Sequence, residues 1–272
     1  MKKFNQFNKG MIMYKLLAIL ALIVPVSAVA QTTQEKGLAI AKQQDAKNSG
    51  FKDYTNDIVM TLKNAQGQES VDYLHSMTLE VTAAGEGDKS KLVFDKPADV
   101  KGTAMLTYSH GLQPDDQWLF LPAVKRVKRL NSNNKSGPFM GSEFAYEDLS
   151  SPVVEKFSYN WLRDEACGEW QCYVVERTPR YEYSGYVRQV TWIDTKELRT
   201  VKIDYYDRKN ELLKTLTQSG FKLYKGKFWR AETGKMVNHI TGKSTVMVSS
   251  NFQFGTGLTA AGFEPNSLQD TH

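Results

Sequence analysis

Two pairs of adjacent carboxylates are the side chains that come nearest to an acid–base catalyst in this sequence. They are Asp115-Asp116 and Glu147-Asp148. Two carboxyl groups held at different pKa values can act as general acid and general base. The first pair falls at a turn and the second in a short helical stretch, where carboxylates are usually solvated or cap backbone N–H groups. We therefore predict no catalytic role for either pair.

The histidines and glycines also fail to form a catalytic or metal-binding pattern. The four histidines are His75, His110, His239 and His272. They are far apart, and none has the spacing of an HExxH zinc site. Gly242-Lys243-Ser244 resembles the end of a phosphate-binding loop, but Val237 occupies the position of that motif's first glycine. Since no GxSxG elbow occurs either, we predict that the protein is not an enzyme and holds no cofactor or metal.

The first thirty residues have the composition of a secretory signal. Four lysines precede an apolar run at residues 16–26, and Ser27-Ala28-Val29-Ala30 supplies the small residues that a signal peptidase reads. The apolar run is shorter than the ~20 residues of a membrane span, and Gln31 follows where a lipoprotein would need a cysteine. We predict that residues 1–30 are a signal peptide, and that residues 31–272 form a single periplasmic domain without a membrane anchor.

Cys167 and Cys172 lie close together in the sequence ACGEWQC. An oxidising compartment favours a disulfide between them, at the tip of a hairpin, where so small a loop would contribute only about 2 kcal/mol. A Cys-x4-Cys spacing alone lacks the further ligands of a zinc site, and it is not the Cys-x-x-Cys of a redox enzyme.

The net charge indicates whether nucleic acid is an expected partner. The chain carries +5, and removing the predicted signal with its four lysines and no acids leaves +1. Nucleic-acid binding requires a basic footprint over the domain, so we predict no nucleic-acid partner. The remaining basic cluster is Lys125, Arg126, Lys128 and Arg129. We interpret it as an edge strand that charge protects from edge-to-edge pairing, with contact to a partner or an anionic headgroup as the alternative.

Residues 115–151 combine these cations with aromatic side chains in an unusual order. A strand containing Trp118 and Phe120 ends at Pro122, and a polar loop at residues 131–137 leads to Pro138-Phe139-Met140-Gly141. Ser142 is then a candidate N-cap for a short helix. The runs WLFLP, KRVKRL and FMGSEFAYEDL in this block resemble the signature of the periplasmic outer membrane lipoprotein-sorting protein family, a LolA-like branch often associated with MMPL/RND exporters.

The resemblance implies a fold, a ligand and partners. The fold is α+β and mostly antiparallel β, an incomplete (half) barrel in which short helices cover a curved sheet. The ligand is a lipid or the acyl chain of a lipoprotein, and an inner-membrane exporter of the RND/MMPL type is a possible partner. The alternative function is a protein-binding adaptor or envelope-stress sensor of the same fold, with no lipid cargo and with side chains filling its concave face.

We predict that residues 118–148 form the mouth and lid of the ligand cavity. The predicted ligand-binding residues are Trp118, Phe120, Phe139, Met140, Phe144 and Tyr146. Phe139 and Met140 lie among turn residues, where closing over an apolar pocket is easier than burial in a core. The alternative is that these aromatic side chains are part of the core.

The remaining sequence predicts the elements that would hold such a cavity. A helix between Thr32 and Gly50 precedes strands of period two, beginning with a long hairpin at residues 51–82. Strands at residues 91–94 and 102–108 and the two strands of the Trp118 block follow, and six more lie at residues 170–177, 186–194, 199–206, 212–224, 227–239 and 245–254. The short turns between them can join only antiparallel neighbours. Of a sandwich, a closed barrel and a wrapped open sheet, the last fits best with few helices.

Overall fold

One α-helix and thirteen strands follow one another in residues 31–270, which with Met1 are the residues that the computed structural model describes. Helix α1 spans Thr33–Asn48. The strands of the first half are β1 (Asp53–Lys63), β2 (Glu69–Leu79), β3 (Glu86–Lys96), β4 (Ala104–His110), β5 (Asp116–Leu121) and β6 (Arg126–Arg129). Those of the second half are β7 (Phe157–Cys167), β8 (Trp170–Pro179), β9 (Tyr186–Asp194), β10 (Thr200–Asp207), β11 (Leu212–Tyr224), β12 (Phe228–Asn238) and β13 (Ser244–Phe254). The predicted signal peptide lies outside the described residues except for Met1.

All thirteen strands belong to one antiparallel sheet, in the order β6-β5-β4-β3-β2-β1-β13-β12-β11-β10-β9-β8-β7. Sheet neighbours are also chain neighbours except for β1 and β13, which pair from Tyr54↔Phe254 to Lys63↔Ser244. Each half of the chain is therefore a meander that runs outward from this central pair to an edge strand, β6 or β7. The sheet is curved and does not close, which confirms the predicted incomplete barrel.

Helix α1 begins with a capping box. The Thr32 hydroxyl accepts from Glu35 N at 3.1 Å, and the Glu35 carboxylate accepts from Thr32 N at 2.9 Å, so N–H groups without helical partners are satisfied. Ile40 packs the helix against Val175 and Ile193. The predicted N-terminal helix is thus confirmed. None of the helices in the described part of the chain is long and apolar enough to cross a membrane.

The outer face of β3–β5 is covered by residues 255–270, for which the sequence made no structural prediction. Two 3₁₀ turns, Ala260–Phe263 and Pro265–Leu268, place Phe263 and Leu268 against Leu106 and Phe120. The Tyr108 hydroxyl donates to Phe263 O at 2.6 Å and fixes this covering. One flank of the sheet is therefore buried on both faces.

Two details of the predicted elements are corrected. The short helix expected from Ser142 is absent among the described residues, and residues 135–149 form 3₁₀ turns at Phe139–Gly141 and Tyr146–Leu149 instead. The intervening Ser142 and Ala145 are extended, so the chain cannot build consecutive helical turns. Strand β7 is not among the predicted strands, because its second half is polar and α1 covers part of it.

Candidate ligand-binding site

A cavity of about 1020 Å³ lies between the concave face of the sheet, helix α1 and residues 150–157. Along each strand, alternate side chains point into it, because successive residues face opposite sides of a sheet. We call its apolar base the floor. The floor consists of Leu92, Leu74, Ile58, Met247, Leu216 and Ile203. These side chains come from strands β3, β2, β1, β13, β11 and β10, so the apolar surface extends across most of the sheet.

Helix α1 can cover the cavity closely because of one glycine. A Cβ atom on Gly37 would lie 2.9 Å from the backbone N of Trp161 and 3.0 Å from that of Asn160, nearer than real Cβ contacts allow. Glycine in a helix interior costs roughly 1 kcal/mol relative to alanine. This position therefore exchanges helix propensity for direct packing of the helix backbone on β7.

Next to the floor, residues 135–149 cross the same concave face and fill the part of it that the cavity does not occupy. We call them the crossing segment. Phe139 is fully buried against Met60, Leu74 and Phe94 in the first half of the sheet. Phe144 packs with Tyr205 and other residues of the second half. The crossing segment therefore joins the two halves of the sheet, and we refer to the region that it fills as the packed end of the concave face.

A buried ion pair holds the crossing segment on β11. Asp148 accepts from Lys214 Nζ at 2.7 Å and from the Tyr186 hydroxyl at 2.9 Å, and the Lys214 and Asp148 side chains are only 5% and 3% exposed. Lys214 also donates to Glu143 O at 2.8 Å. A buried charge is tolerated when it is paired and hydrogen-bonded, and here both conditions hold.

Glu147, the neighbour of Asp148, is partly buried, and within the described residues it forms no ion pair shorter than 4 Å. It accepts from the Tyr181 hydroxyl at 3.1 Å, the Ser184 hydroxyl at 3.0 Å and Gly185 N at 2.8 Å. Burial, and to a lesser extent the Asp148 charge, raises the pKa of Glu147. Of the two expected roles for this carboxylate pair, solvated or capping, the structure shows capping, since Asp148 accepts from Ala145 N at 2.7 Å.

Two further buried charges lie near the cavity. Lys156 and Asp115 form an ion pair at 2.8 Å with both side chains 6% exposed, and burial lowers the pKa of Lys156. Asp88 of β3 lines the cavity and accepts from Val81 N at 3.3 Å and the Ser151 hydroxyl at 3.2 Å. Burial raises the pKa of Asp88 to about 6.

None of the six predicted ligand-binding residues is among the side chains that line this cavity. Trp118 and Phe120 point to the outer face, where Phe120 packs under Phe263 and Leu268. Because side chains alternate along β5, Gln117, Leu119 and Leu121 point inward instead. The alternating sequence pattern alone does not show which of the two sets of side chains faces the concave side.

The other four lie in the crossing segment, on the packed side of the floor. Phe139 and Phe144 are buried in the two halves of its core, and Met140 and Tyr146 are partly buried beside Phe139. The crossing segment reaches the cavity through Glu147, Asp148 and Leu149. Direct ligand contact by the predicted residues stays a prediction, and in this structure the four residues of the crossing segment pack beside the floor.

The basic cluster lies where an edge strand was predicted. Strand β6 contains Arg126, Lys128 and Arg129, all exposed, and Lys125 precedes it with a left-handed φ of 49°. Arg129 pairs with Asp116 of the neighbouring strand. Contact of these cations with a partner or headgroup stays a prediction.

The disulfide is confirmed. Cys167 and Cys172 are bonded, with their Cα atoms 5.9 Å apart, at the tip of the β7–β8 hairpin. Within the described residues, no group of three or more His, Cys, Asp and Glu side chains could hold a metal ion. His75 and His110 instead bond to carboxylates of neighbouring strands, and His239 bonds to the Thr215 hydroxyl at 2.8 Å.

The polar side chains of the cavity are not recognisable from the sequence. Arg177 and Gln189 line it on β8 and β9, with Arg177 Nε donating to Gln189 Oε1 at 2.6 Å. Each is one polar residue in an alternating strand, so nothing in the sequence separates them from surface residues. Only the pairing of β8 with β9, Arg177↔Gln189, brings them together.

The chain is similar to several solved structures over most of its length. An outer membrane lipoprotein-sorting protein domain from Vibrio parahaemolyticus is 50% identical with a TM-score of 0.84, and the match covers 87% of this chain and 99% of that one. A DUF1329 family protein from Desulfovibrio piger is 31% identical with a TM-score of 0.83 and the same coverage. A LolA superfamily protein from Nitrosomonas europaea, 20% identical with a TM-score of 0.68, covers 85% of this chain and 98% of its own and shares the fold.

A family model described only as an uncharacterized protein matches residues 86–270. No curated protein matches the chain.

Proposed function

This chain belongs to the outer membrane lipoprotein-sorting protein family, and from that premise we propose that it is a periplasmic carrier that holds an acyl chain in the cavity beneath α1. The acyl chain would belong to a lipid or to a lipoprotein. The observation that carries the proposal is the hollow part of the concave face, a cavity of about 1020 Å³ with an apolar floor.

The cavity suits an acyl chain in size and chemistry. Small-molecule sites typically measure about 300–1,000 Å³ and are mostly apolar with a few polar groups. Each methylene group that leaves water contributes about 0.8 kcal/mol, so the floor could bind a long chain without any specific hydrogen bond. A carrier needs this kind of site because its cargo must be held firmly and then released unchanged.

The proposed compartment and partners rest on further features. Residues 1–30 have the composition of a cleavable export signal, and the Cys167–Cys172 disulfide is the type of bond that an oxidising compartment maintains. For the partner, we propose an inner-membrane exporter of the RND/MMPL type. The exposed cations of β6 would orient the carrier on an acidic surface of the exporter. Such charges change the association rate more than the affinity.

Two measurements test the carrier function. Protein purified from the envelope of its native host is extracted with organic solvent, and the extract is analysed by mass spectrometry for acyl species. Delipidated protein is then titrated with a dansyl-labelled undecanoic acid. We expect a bound acyl species in the first measurement and saturable fluorescence enhancement in the second.

A matched pair of variants assigns the binding to this cavity. Gln218→Phe adds a ring inside the cavity, whereas Thr217→Phe adds the same ring on the exposed opposite face of β11. If the added ring displaces about two methylene groups of the chain, binding weakens roughly tenfold in Gln218→Phe and stays unchanged in Thr217→Phe. Empty extracts together with no probe binding would contradict the carrier function and favour a protein-binding adaptor.

A further inference from the structure

The cavity lining includes a cation, Arg177, whose side chain has few partners. Arg177 lines the cavity, and in the part of the chain that the structure describes it forms no ion pair. Its one hydrogen bond there is from Nε to Gln189 Oε1, and its guanidinium lies 4.7 Å from the centre of the Phe157 ring. The two Nη groups, which carry four of the five N–H donors, have no acceptor among those residues.

Among the carboxylates of the cavity and its surroundings, which include Asp45 and Glu155, three are already committed to other donors. Asp148 accepts from Lys214 and Tyr186, and Asp115 pairs with Lys156. Glu147 accepts three hydrogen bonds from the loop at residues 181–185. A partly buried guanidinium without an ion-pair partner is stabilised when an anion or water reaches it, and Arg177 lines a cavity that can admit either.

Arg177 belongs to a row of side chains that borders the apolar floor. Arg177, Gln189, Tyr205 and Lys214 form one cross-strand row over β8–β11, through the pairs Arg177↔Gln189, Gln189↔Tyr205 and Tyr205↔Lys214. Lys214 and Tyr205 belong to the packed end, so this row marks its boundary. The floor begins beside the row at Ile203 and extends toward β3. An anionic group at Arg177 would therefore lie at one end of a continuous apolar surface.

We propose that Arg177 binds the oxyanion of an amphiphilic ligand, a carboxylate or phosphate group whose attached chain lies along the floor. This inference rests on the proposed carrier function and narrows its cargo to anionic amphiphiles. A planar guanidinium with free donors matches the geometry of carboxylate and phosphate oxygens, which can each accept two parallel hydrogen bonds. Gln189 accepts from Nε and leaves the four Nη donors for the ligand.

The test compares ligands that differ only in the head group. Delipidated protein is titrated by calorimetry with myristate, with lysophosphatidic acid of the same chain length, and with tetradecanol as the uncharged control. We expect the wild type to bind one or both anionic ligands about tenfold to a hundredfold more tightly than tetradecanol, the range of a charge-assisted hydrogen bond. Arg177→Gln should remove this preference, and Arg177→Lys should retain part of it.

Arg188→Gln is the matched control, because Arg188 lies on the next strand, outside the cavity lining, and pairs with Glu176. It should bind all ligands as the wild type does. Equal binding of myristate and tetradecanol by the wild type would overturn the proposal while leaving the carrier function intact, whereas binding of no ligand would overturn both. Displacement of myristate by an equal concentration of inorganic phosphate would show that the site takes a free ion, and would also overturn the proposal.

Discussion

The concave face has a packed end, filled by the crossing segment, and an open end, the cavity beneath α1. Both ends are built from the same strands, yet one is solid and the other hollow. On β1, Met60 is fully buried under Phe139, whereas Ile58, two residues away on the same face, lines the cavity. On β11, Lys214 is buried under the crossing segment and Gln218 borders the cavity. The strands do not decide which end is filled, so the difference lies in what covers them.

Helix α1 and the crossing segment, which cover the two ends, differ in how their backbone N–H and C=O groups find hydrogen-bond partners. A helix such as α1 pairs its N–H and C=O groups internally, so it can span a hollow without losing hydrogen bonds. The crossing segment is irregular and must find partners in the sheet and within itself. Phe139 N donates to Phe144 O at 2.7 Å, Glu143 N to Thr245 Oγ1 at 2.9 Å, and Gln117 Nε2 to Tyr146 O at 2.9 Å. These hydrogen bonds hold the segment against the sheet, where its Phe139 and Phe144 side chains are buried.

The largest expected effect comes from hollowing the packed end. Phe139→Ala should lower the free energy of unfolding by about 3–5 kcal/mol, as for other fully buried phenylalanines. Urea denaturation followed by circular dichroism measures it. Phe252→Ala, a partly buried ring near Tyr224 at the surface, is the control and should cost only about 1 kcal/mol. If Phe139→Ala keeps wild-type stability and alters only ligand binding, the segment is a mobile lid and the two ends are not distinct.

The second effect separates the ion pair from packing. Lys214→Met leaves Asp148 buried without its cation, and removal of one partner of a buried pair costs about 3–5 kcal/mol. We expect about 3 kcal/mol, at the lower end, because Tyr186 and Ala145 N still donate to Asp148. Lys222→Met breaks an ion pair whose lysine is 64% exposed and should cost less than about 1 kcal/mol. Equal losses in these two variants under denaturation would mean that Lys214 does not anchor the crossing segment.

These two regions also show what the sequence could predict. The antiparallel meanders, α1 and the disulfide follow from alternation, a capping residue and cysteine spacing, which are local signals. The face of each strand is not local, so Trp118 and Phe120 could not be assigned to the outer face without the covering residues 255–270. Phe139 lies among turn residues that resemble any exposed loop, and its burial depends on Met60 and Phe94, far away in the sequence.

The open end should respond to pH through Asp88. Its folded pKa of about 6 exceeds the usual 3.8 because burial disfavours the charge. The folded state therefore binds the proton more tightly, and the contribution of Asp88 to stability is largest below pH 4 and falls as the pH rises toward 6. We expect roughly 2 kcal/mol for this fall, since solvent reaches part of the carboxyl. The difference in unfolding free energy between the wild type and Asp88→Asn, measured from pH 4 to 7, should decline over this interval. A constant difference would contradict the raised pKa.

The smallest effect tests the cover of the open end. Gly37→Ala would normally stabilise a helix interior by about 1 kcal/mol. Here the new Cβ would lie 2.9 Å from Trp161 N, and overpacking of this kind costs about 1–3 kcal/mol. We therefore expect a net loss of about 1 kcal/mol in urea denaturation. Gly262→Ala, where a Cβ meets no atom within 4 Å, should change stability by less than about 0.5 kcal/mol. A stabilised Gly37→Ala variant would show that α1 can move away from β7 without loss. The cover of the open end would then be adjustable, while the cover of the packed end is fixed by its buried ion pair.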